Sequence, residues 1–298
     1  MKIGVMGAGA VGCYYGALLA RAGHEVTLVG RAPFVEHVLA AGLLLTTGGF
    51  TAAIPVQATT DTAALSGSDF VLFCVKSADT QTAGRLLSPV LDPACPVLSF
   101  QNGVDNPERL ALVLGRPVVP VAVYVAVEMT GPGHVKHLGR GDVILGRFAG
   151  EDAIAGAFRA AGIPATVSDT VVVAQWSKFI TNCAYNALSA ITRMPYGALL
   201  QVPGVAQVMT DVATECMVVG RALGVPVASL DMAPILGLAA TMPGQLSSTA
   251  QDLLRGKPTE IDYLNGYIVR KGAECGIPTP ANHVLWTLVK ALESKLKD

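Results

Sequence analysis

Lys2-Ile3-Gly4-Val5-Met6-Gly7-Ala8-Gly9-Ala10-Val11-Gly12 runs from an apolar stretch straight into GxGxxG. Lys2–Met6 reads as a strand. Ala10–Ala22 reads as a helix with Gly23 as its stop, and Glu25–Val29 as the next strand. Alone, GxGxxG is a weak signal; opening a helix directly after a strand in a βαβ unit, it is a specific one. Gly7 permits the tight turn, Gly9 lets backbone approach a pyrophosphate, and Gly12 lets the helix pack close to the sheet. The N–H groups and dipole of the helix start then favour an anion. The cofactor loop is therefore Gly7, Ala8, Gly9, Ala10, Val11 and Gly12.

An NAD-preferring site usually carries Asp or Glu about 20 residues after this motif, where it holds the ribose diol. Here the second strand ends Leu28-Val29-Gly30-Arg31. A carboxylate would repel a 2′-phosphate, whereas a guanidinium can bond it in a fork, so the expected cofactor is NADPH. Two more strand ends are polar: Phe70–Val75 leads into Lys76-Ser77, and Val97–Phe100 into Gln101-Asn102-Gly103. Ligands of an open parallel sheet bind outside the carboxyl ends of its strands. Lys76 is thus a second candidate for the 2′-phosphate, and Asn102 for the ribose or the substrate. A solvated lysine and a plain turn are the alternatives.

Outward from the first strand, the chain alternates strand-like and helical runs to about residue 115, as in a parallel α/β sheet. From Val118 to Gly146, Val- and Ile-rich runs joined by Gly131-Pro132-Gly133 suggest an antiparallel extension of the sheet. Beyond Ser168 the strand signals fade. Val171–Ile191, Gln207–Leu223, Leu246–Leu254, Ile261–Cys275 and Asn282–Leu296 read as helices, with Ser168 or Asp169 capping the first. The expected fold class is α/β, with an N-terminal Rossmann-type dinucleotide-binding domain (residues 1–169) carrying an antiparallel sheet extension. An all-α C-terminal substrate domain (170–298) follows.

Composition narrows the classes further. The chain has 298 residues, 51% of them hydrophobic and 14% charged, with net charge −1. That balance gives no electrostatic footing for nucleic acid or an anionic membrane. It leaves a small-molecule ligand as the expected partner and a homodimer as an open expectation. No run reaches the ~20 apolar residues of a membrane span. The six cysteines form no CxxC pair and sit singly among apolar residues, which points to a reducing cytoplasm. The five histidines lack metal-ligand spacing, so no metal is expected.

The chemistry is sought in the first C-terminal helix. Lys178, Asn182 and Asn186 stand four residues apart, so at ~100° per residue they share one narrow arc. Trp176, Phe179, Ile180, Cys183, Ala184, Ala187 and Leu188 fill most of the remaining circumference. A thin Lys/Asn/Asn stripe on an apolar helix suggests the polar wall of a cleft; a solvated face or hydrogen bonding between packed helices are the alternatives. A second cluster runs Ser247-Ser248-Thr249-Ala250-Gln251-Asp252, then Gly256-Lys257-Pro258-Thr259-Glu260-Ile261-Asp262-Tyr263-Leu264-Asn265-Gly266. Thr259 could cap the following helix and Glu260 would lie in its first turn, where dipole complementation alone would explain an acid.

Together, Gly7/Gly9/Gly12, Val29-Gly30-Arg31, Cys74-Val75-Lys76-Ser77, Gln101-Asn102-Gly103, Trp176-x-Lys178-Phe179-x-x-Asn182-x-x-x-Asn186 and the Ser247–Gly266 cluster resemble the ketopantoate reductases (2-dehydropantoate 2-reductases), in order, from residue 1 to about 290. The resemblance implies a Rossmann domain plus a helical domain with the active site in the cleft between them. It implies NADPH-dependent reduction of ketopantoate to pantoate, for pantothenate and coenzyme A synthesis. Lys178 is implied as proton donor to the substrate carbonyl, and Glu260 as the acidic partner that organises the site and the substrate hydroxyl. Asn182, Asn186 and Ser248 are implied as substrate contacts, with Asn102 at the cofactor–substrate junction and Arg31 and Lys76 on the phosphate. Alternatives are a paralogue acting on another branched 2-oxo acid, an opine-type dehydrogenase, or a non-catalytic NADPH-binding sensor.

Overall fold

The structure is a computed structural model that describes residues 1–227 and 232–296. The chain divides into two compact units, Met1–Gln175 and Trp176–Asp298. In the first, β1 (Lys2–Met6), α1 (Ala10–Arg21), β2 (Glu25–Val29) and α2 (Ala32–Ala41) open the chain, and three short strands, β3 (Leu43–Thr46), β4 (Thr51–Ile54) and β5 (Gln57–Thr59), follow. Then come β6 (Phe70–Phe73), α3 (Thr80–Leu87), β7 (Val97–Ser99), α4 (Asn106–Leu114), β8 (Val119–Gly131), β9 (His134–Leu145), α5 (Glu151–Ala160) and β10 (Ala165–Val167).

The sheet order is β4-β3-β9-β8-β7-β6-β1-β2-β5, with β10 beside β9. From β8 to β5 all neighbours are parallel, and β9 runs antiparallel to β8. The strands flanking the GxGxxG loop are covered on both faces. Ile3, Val5, Phe70 and Leu72 enter one apolar cluster, while Met6, Val71 and Phe73 enter another. This is why these runs lack polar alternation. Full burial of a side chain such as Phe70 or Phe73 contributes roughly 1.5–3 kcal/mol.

The second unit is helical. It comprises most of α6 (Val171–Thr192), then α7 (Tyr196–Leu199), α8 (Val205–Ala222), α9 (Met232–Thr241), α10 (Ser248–Leu254), α11 (Asn265–Cys275) and α12 (Pro280–Ser294). Ser168 does serve the entry to α6, accepting from Thr170 N at 3.0 Å, whereas Asp169 pairs with Arg147 instead. Trp176, Phe179 and Tyr267 pack edge to face, with centroids 5.4 to 6.3 Å apart. Gly220 on α8 makes room for them, since a Cβ there would lie 2.8 Å from the Trp176 ring.

One expected helix is corrected. Ile261–Cys275 is not continuous: Ile261–Tyr263 is a single 3-10 turn, Leu264 breaks it at φ −113° and ψ −107°, and α11 starts afresh at Asn265. Glu260 therefore lies at the mouth of a short turn rather than inside the first turn of a long helix. The apolar periodicity is right on both sides of the break. The break itself comes from tertiary hydrogen bonds on residues 259 and 262.

Candidate active site

In the first unit the GxGxxG loop, Arg31, Lys76 and Asn102 follow the carboxyl ends of β1, β2, β6 and β7, four neighbours in the sheet. The loop glycines have separate causes. Gly7 sits at φ +109°, and a Cβ there would lie 2.7 Å from the Val75 nitrogen. At Gly12 a Cβ would collide with the Gly7 carbonyl oxygen. Around Gly9, by contrast, no described residue beyond its own chain neighbours comes within 4 Å of the Cβ position, so none of them demands glycine there. Open space at that position suits a group from outside the chain. The start of α1 agrees, for it has no side-chain cap and no acid in its first turn. Its leading N–H groups are thus left to an anion.

Gly30, which has no assigned role beside Arg31, sets how close β2 comes to the loop. Gly7 N and Ala8 N both donate to Val29 O at 3.1 Å, and a Cβ on Gly30 would lie 2.8 Å from that of Ala8. Arg31 is exposed at the N-cap of α2, and Lys76 is exposed where the chain leaves β6. The donor set fits a dinucleotide phosphate: backbone N–H groups at the helix start, and two cations at flanking strand ends.

A buried polar network, also unforeseen, holds the β6 and β7 loops together. Gln101 Nε2 donates to Val75 O at 3.0 Å and to Thr80 Oγ1 at 2.7 Å. Asn106 Nδ2 donates to Asn102 O at 2.6 Å and to Ser77 Oγ at 2.9 Å. Arg109 closes the circuit on Ser77 O and Asn106 Oδ1, at 3.1 Å each. Asn102 is half-buried, and its backbone is held whatever its side chain binds. The one sequence signal was a run of polar residues after an apolar strand, which marked the loop without revealing its partners.

In the second unit, Lys178 and Asn182 are half-buried on α6 and Asn186 is buried. Asn186 Nδ2 reaches Ser248 Oγ at 3.5 Å. The adjacent Ser247 caps α10, accepting from Ala250 N at 3.0 Å and donating to Asn186 O at 3.1 Å. Two of the expected substrate residues are thus brought together by a cap. Asn265, Asn282 and Glu215 carried no expected role, yet they pin the same helix. Asn265 Nδ2 donates to Cys183 O at 3.1 Å and to Asn282 Oδ1 at 3.0 Å. Glu215 accepts from Asn282 Nδ2 at 2.7 Å and from the backbone N–H groups of Ala281 and Asn282 at 2.8 and 2.9 Å, where the dipole of α12 favours an anion. Burial pushes the Cys13, Cys74 and Cys183 thiols up, so they pack as small hydrophobes rather than act as nucleophiles.

Glu260 is half-buried between two fastened neighbours. Thr259 bonds to Glu293, and Asp262 accepts from Trp286 Nε1 at 2.7 Å and Lys290 Nζ at 2.9 Å. Burial pushes the Asp262 carboxyl up, but the bonds from Lys290 and Trp286 outweigh it and hold the group below its usual range. Burial likewise lowers Lys290, while Glu293 and Asp262 raise it more. The signs then follow. Asp262 adds stability above its unfolded value of about 3.9, and that stability is lost as pH falls through the lower folded value. Lys290 adds stability below about 10.4, lost as pH rises through its raised folded value. We expect Asp262→Asn to lose less stability than the parent as pH falls below about 4, measured as Tm against pH. Equal acid sensitivity would remove Asp262 from the acid limb.

The family profile described as "Ketopantoate reductase PanE/ApbA" matches residues 3–150, and "Ketopantoate reductase PanE/ApbA C terminal" matches residues 170–293. The 2-dehydropantoate 2-reductase of Archaeoglobus fulgidus is 35% identical over 99% of each chain. The crystal structure of a PanE/ApbA family ketopantoate reductase from Ralstonia eutropha JMP134 superposes with a TM-score of 0.96, at 52% identity and full coverage of both chains. The ternary structure of D-mandelate dehydrogenase with NADH and anilino(oxo)acetate matches at a TM-score of 0.90 and 25% identity, again over the whole of both chains.

Proposed function

From the premise that this chain belongs to the ketopantoate reductase family, we propose that it reduces 2-dehydropantoate to pantoate with NADPH, the reductive step that supplies pantothenate synthesis. Residues 1–169 are assigned to the cofactor and 170–298 to the substrate. The observation that carries the reading is the Lys178, Asn182, Asn186 column on α6, met at Asn186 by Ser248. This is a cation followed by neutral donors and acceptors on a single rigid helix. A carbonyl that gains negative charge needs the first, and a hydroxylated acid needs the others.

When bound, the nicotinamide supplies hydride to the C2 ketone. The GxGxxG loop from Gly7 to Gly12 receives the pyrophosphate through backbone N–H groups, and Arg31 and Lys76 receive the 2′-phosphate. Asn102 lies at the end of β7, two strands from the GxGxxG loop, and is assigned to the cofactor–substrate junction. Lys178, as an ammonium, stabilises the charge that develops on the carbonyl oxygen and then donates a proton to it. Asn182, Asn186 and Ser248 orient the carboxylate and hydroxyl of the acid. Glu260 accepts from the substrate hydroxyl and fixes the charge balance near Lys178.

Steady-state kinetics with ketopantoate and NADPH test the reading, run beside NADH, 2-oxoisovalerate, an aryl 2-oxo acid and oxo-acid/amine mixtures. We expect kcat/KM to be highest for ketopantoate with NADPH. Preference for the aryl acid with NADH would move the chain toward the D-mandelate dehydrogenase relative. Binding of NADPH without turnover of any oxo acid would make it a sensor. No helix among the described residues is long and apolar enough to cross a membrane.

A further inference from the structure

Glu260 lies between α10 and α11, in a stretch with a few local backbone bonds: Lys257 N donates to Asp252 O at 2.8 Å and Tyr263 N to Glu260 O at 2.9 Å. Gly256 precedes it at φ +63°, Pro258 lacks an N–H, and the chain up to Thr259 belongs to no helix or strand. The 3-10 turn that follows spans only Ile261–Tyr263, and past Leu264 the chain changes direction into α11. The reaction proposed for this carboxylate tolerates few positions. The residues on either side are held from a distance by α12.

Glu293 Oε1 accepts from both the backbone N of Thr259, at 2.8 Å, and its hydroxyl, at 2.6 Å. The same hydroxyl accepts from Ile261 N at 3.2 Å, so it passes the restraint across Glu260 to the next residue. Beyond Glu260, Asp262 is gripped at both oxygens, by Trp286 Nε1 at 2.7 Å and Lys290 Nζ at 2.9 Å. Lys290 Nζ also donates to Glu293 Oε2 at 2.7 Å, which closes the ring of contacts. Trp286, Lys290 and Glu293 are spaced by four and three residues, the spacing that puts side chains on one face of a helix. One face of α12 therefore clasps the chain immediately before and shortly after Glu260.

We infer that Thr259, Lys290 and Glu293 are positioning residues that set the Glu260 carboxylate for the reaction, acting through the backbone on either side of it. The inference rests on the assignment of Glu260 to the active site. It asks more of α12 than packing: stability alone would be served by apolar contacts such as those of Leu285 and Val289, which are buried on the same helix. Two charged side chains and an indole N–H of α12 act on four residues of chain and fix an orientation, and orientation is what a misplaced catalytic group loses first.

The test uses the full chain and four single variants: Glu260→Gln, Thr259→Val, Thr259→Ser and Lys290→Met. Thr259→Val keeps the shape and removes the hydroxyl; Thr259→Ser restores it. We expect Thr259→Val to lower kcat by about tenfold or more with the Kd for NADPH unchanged, and Thr259→Ser to stay within about threefold of the parent. In a Glu260→Gln background, Thr259→Val should cost less than about twofold further, because its route of action is already gone. Full parental kcat in Thr259→Val, beside an impaired Glu260→Gln, would overturn the clasp and leave the active-site reading standing. An equal loss in both backgrounds would do the same, marking the hydroxyl as a purely structural bond. Parental kcat in Glu260→Gln would instead remove the assignment beneath the inference. Should Thr259→Val not fold, Lys290→Met carries the same comparison and expectations, since that side chain is 41% exposed and its loss leaves the core intact.

Discussion

Lys178→Ala should lower kcat by about 10²-fold or more, the loss expected when a positioned proton donor is removed. The argument starts from placement. Lys178 is half-buried on a helix whose neighbouring residues Trp176, Phe179 and Ile180 are locked in the core. The aromatic contacts of Trp176 and Phe179 with Tyr267 fix the rotation of α6, so Lys178 starts from a rigid base. Truncation to alanine removes the ammonium while leaving that base unchanged, and alanine has the highest helix propensity. The folded fraction should therefore hold while the chemical step fails. A loss confined to kcat and kcat/KM, with the Kd for NADPH unchanged, would identify an interaction made in the transition state. Lys178→Arg should recover little, since a guanidinium keeps the charge but does not release a proton near neutral pH. A parental kcat in Lys178→Ala would take the residue out of the mechanism.

How much of this could be read from the sequence depends on the range of the interaction involved. β1, α1 and β2 were legible because strand, glycine loop and helix are local: Gly12 answers to Gly7 five residues before it and Gly7 to the chain leaving the adjacent β6, while the reason for Gly9 lies in the ligand the motif implies. The polar column on α6 was legible for the same reason, since a period of 3.6 residues puts Lys178, Asn182 and Asn186 on one arc without help from the rest of the chain. β3, β4 and β5 were not read. Thr51-Ala52-Ala53-Ile54 buries only its last residue, so it lacks the apolar run or alternation that marks a strand. The break at Leu264 was hidden for a different reason. Ile261–Cys275 has helical periodicity throughout, but Asp262 is held by Trp286 and Lys290, more than twenty residues on, and that distant grip wins over local propensity. Gly30 belongs with these: its need to be glycine comes from Ala8 and Phe34, and nothing in Leu28-Val29-Gly30-Arg31 announces it.

Arg31→Glu should weaken NADPH far more than NADH, and here the size of the effect follows from charge. A hydrogen bond between ionised groups contributes about 1.5–3 kcal/mol, equivalent to roughly 10- to 100-fold in Kd. Replacing the guanidinium with a carboxylate removes that bond and adds repulsion against a 2′-phosphate, so about 100-fold is the expected loss for NADPH. NADH carries two ribose hydroxyls at the same place, and a glutamate there can accept from them, as an acid at the end of this strand does in NAD-preferring sites. Its Kd should stay level or improve. The contrast is cleaner than either value alone, because a general disturbance of β2 or α2 would weaken both cofactors alike. Arg31 is exposed at the N-cap of α2, with no side-chain cap bond to lose, so the substitution should leave the fold in place. The Glu introduced at the start of that helix is favoured by its dipole. In this assignment Lys76, at the end of β6 on the other side of β1, would still hold part of the phosphate, which sets an upper limit to the loss. If both cofactors weaken equally, the 2′-phosphate is bound elsewhere and Arg31 is an ordinary surface residue.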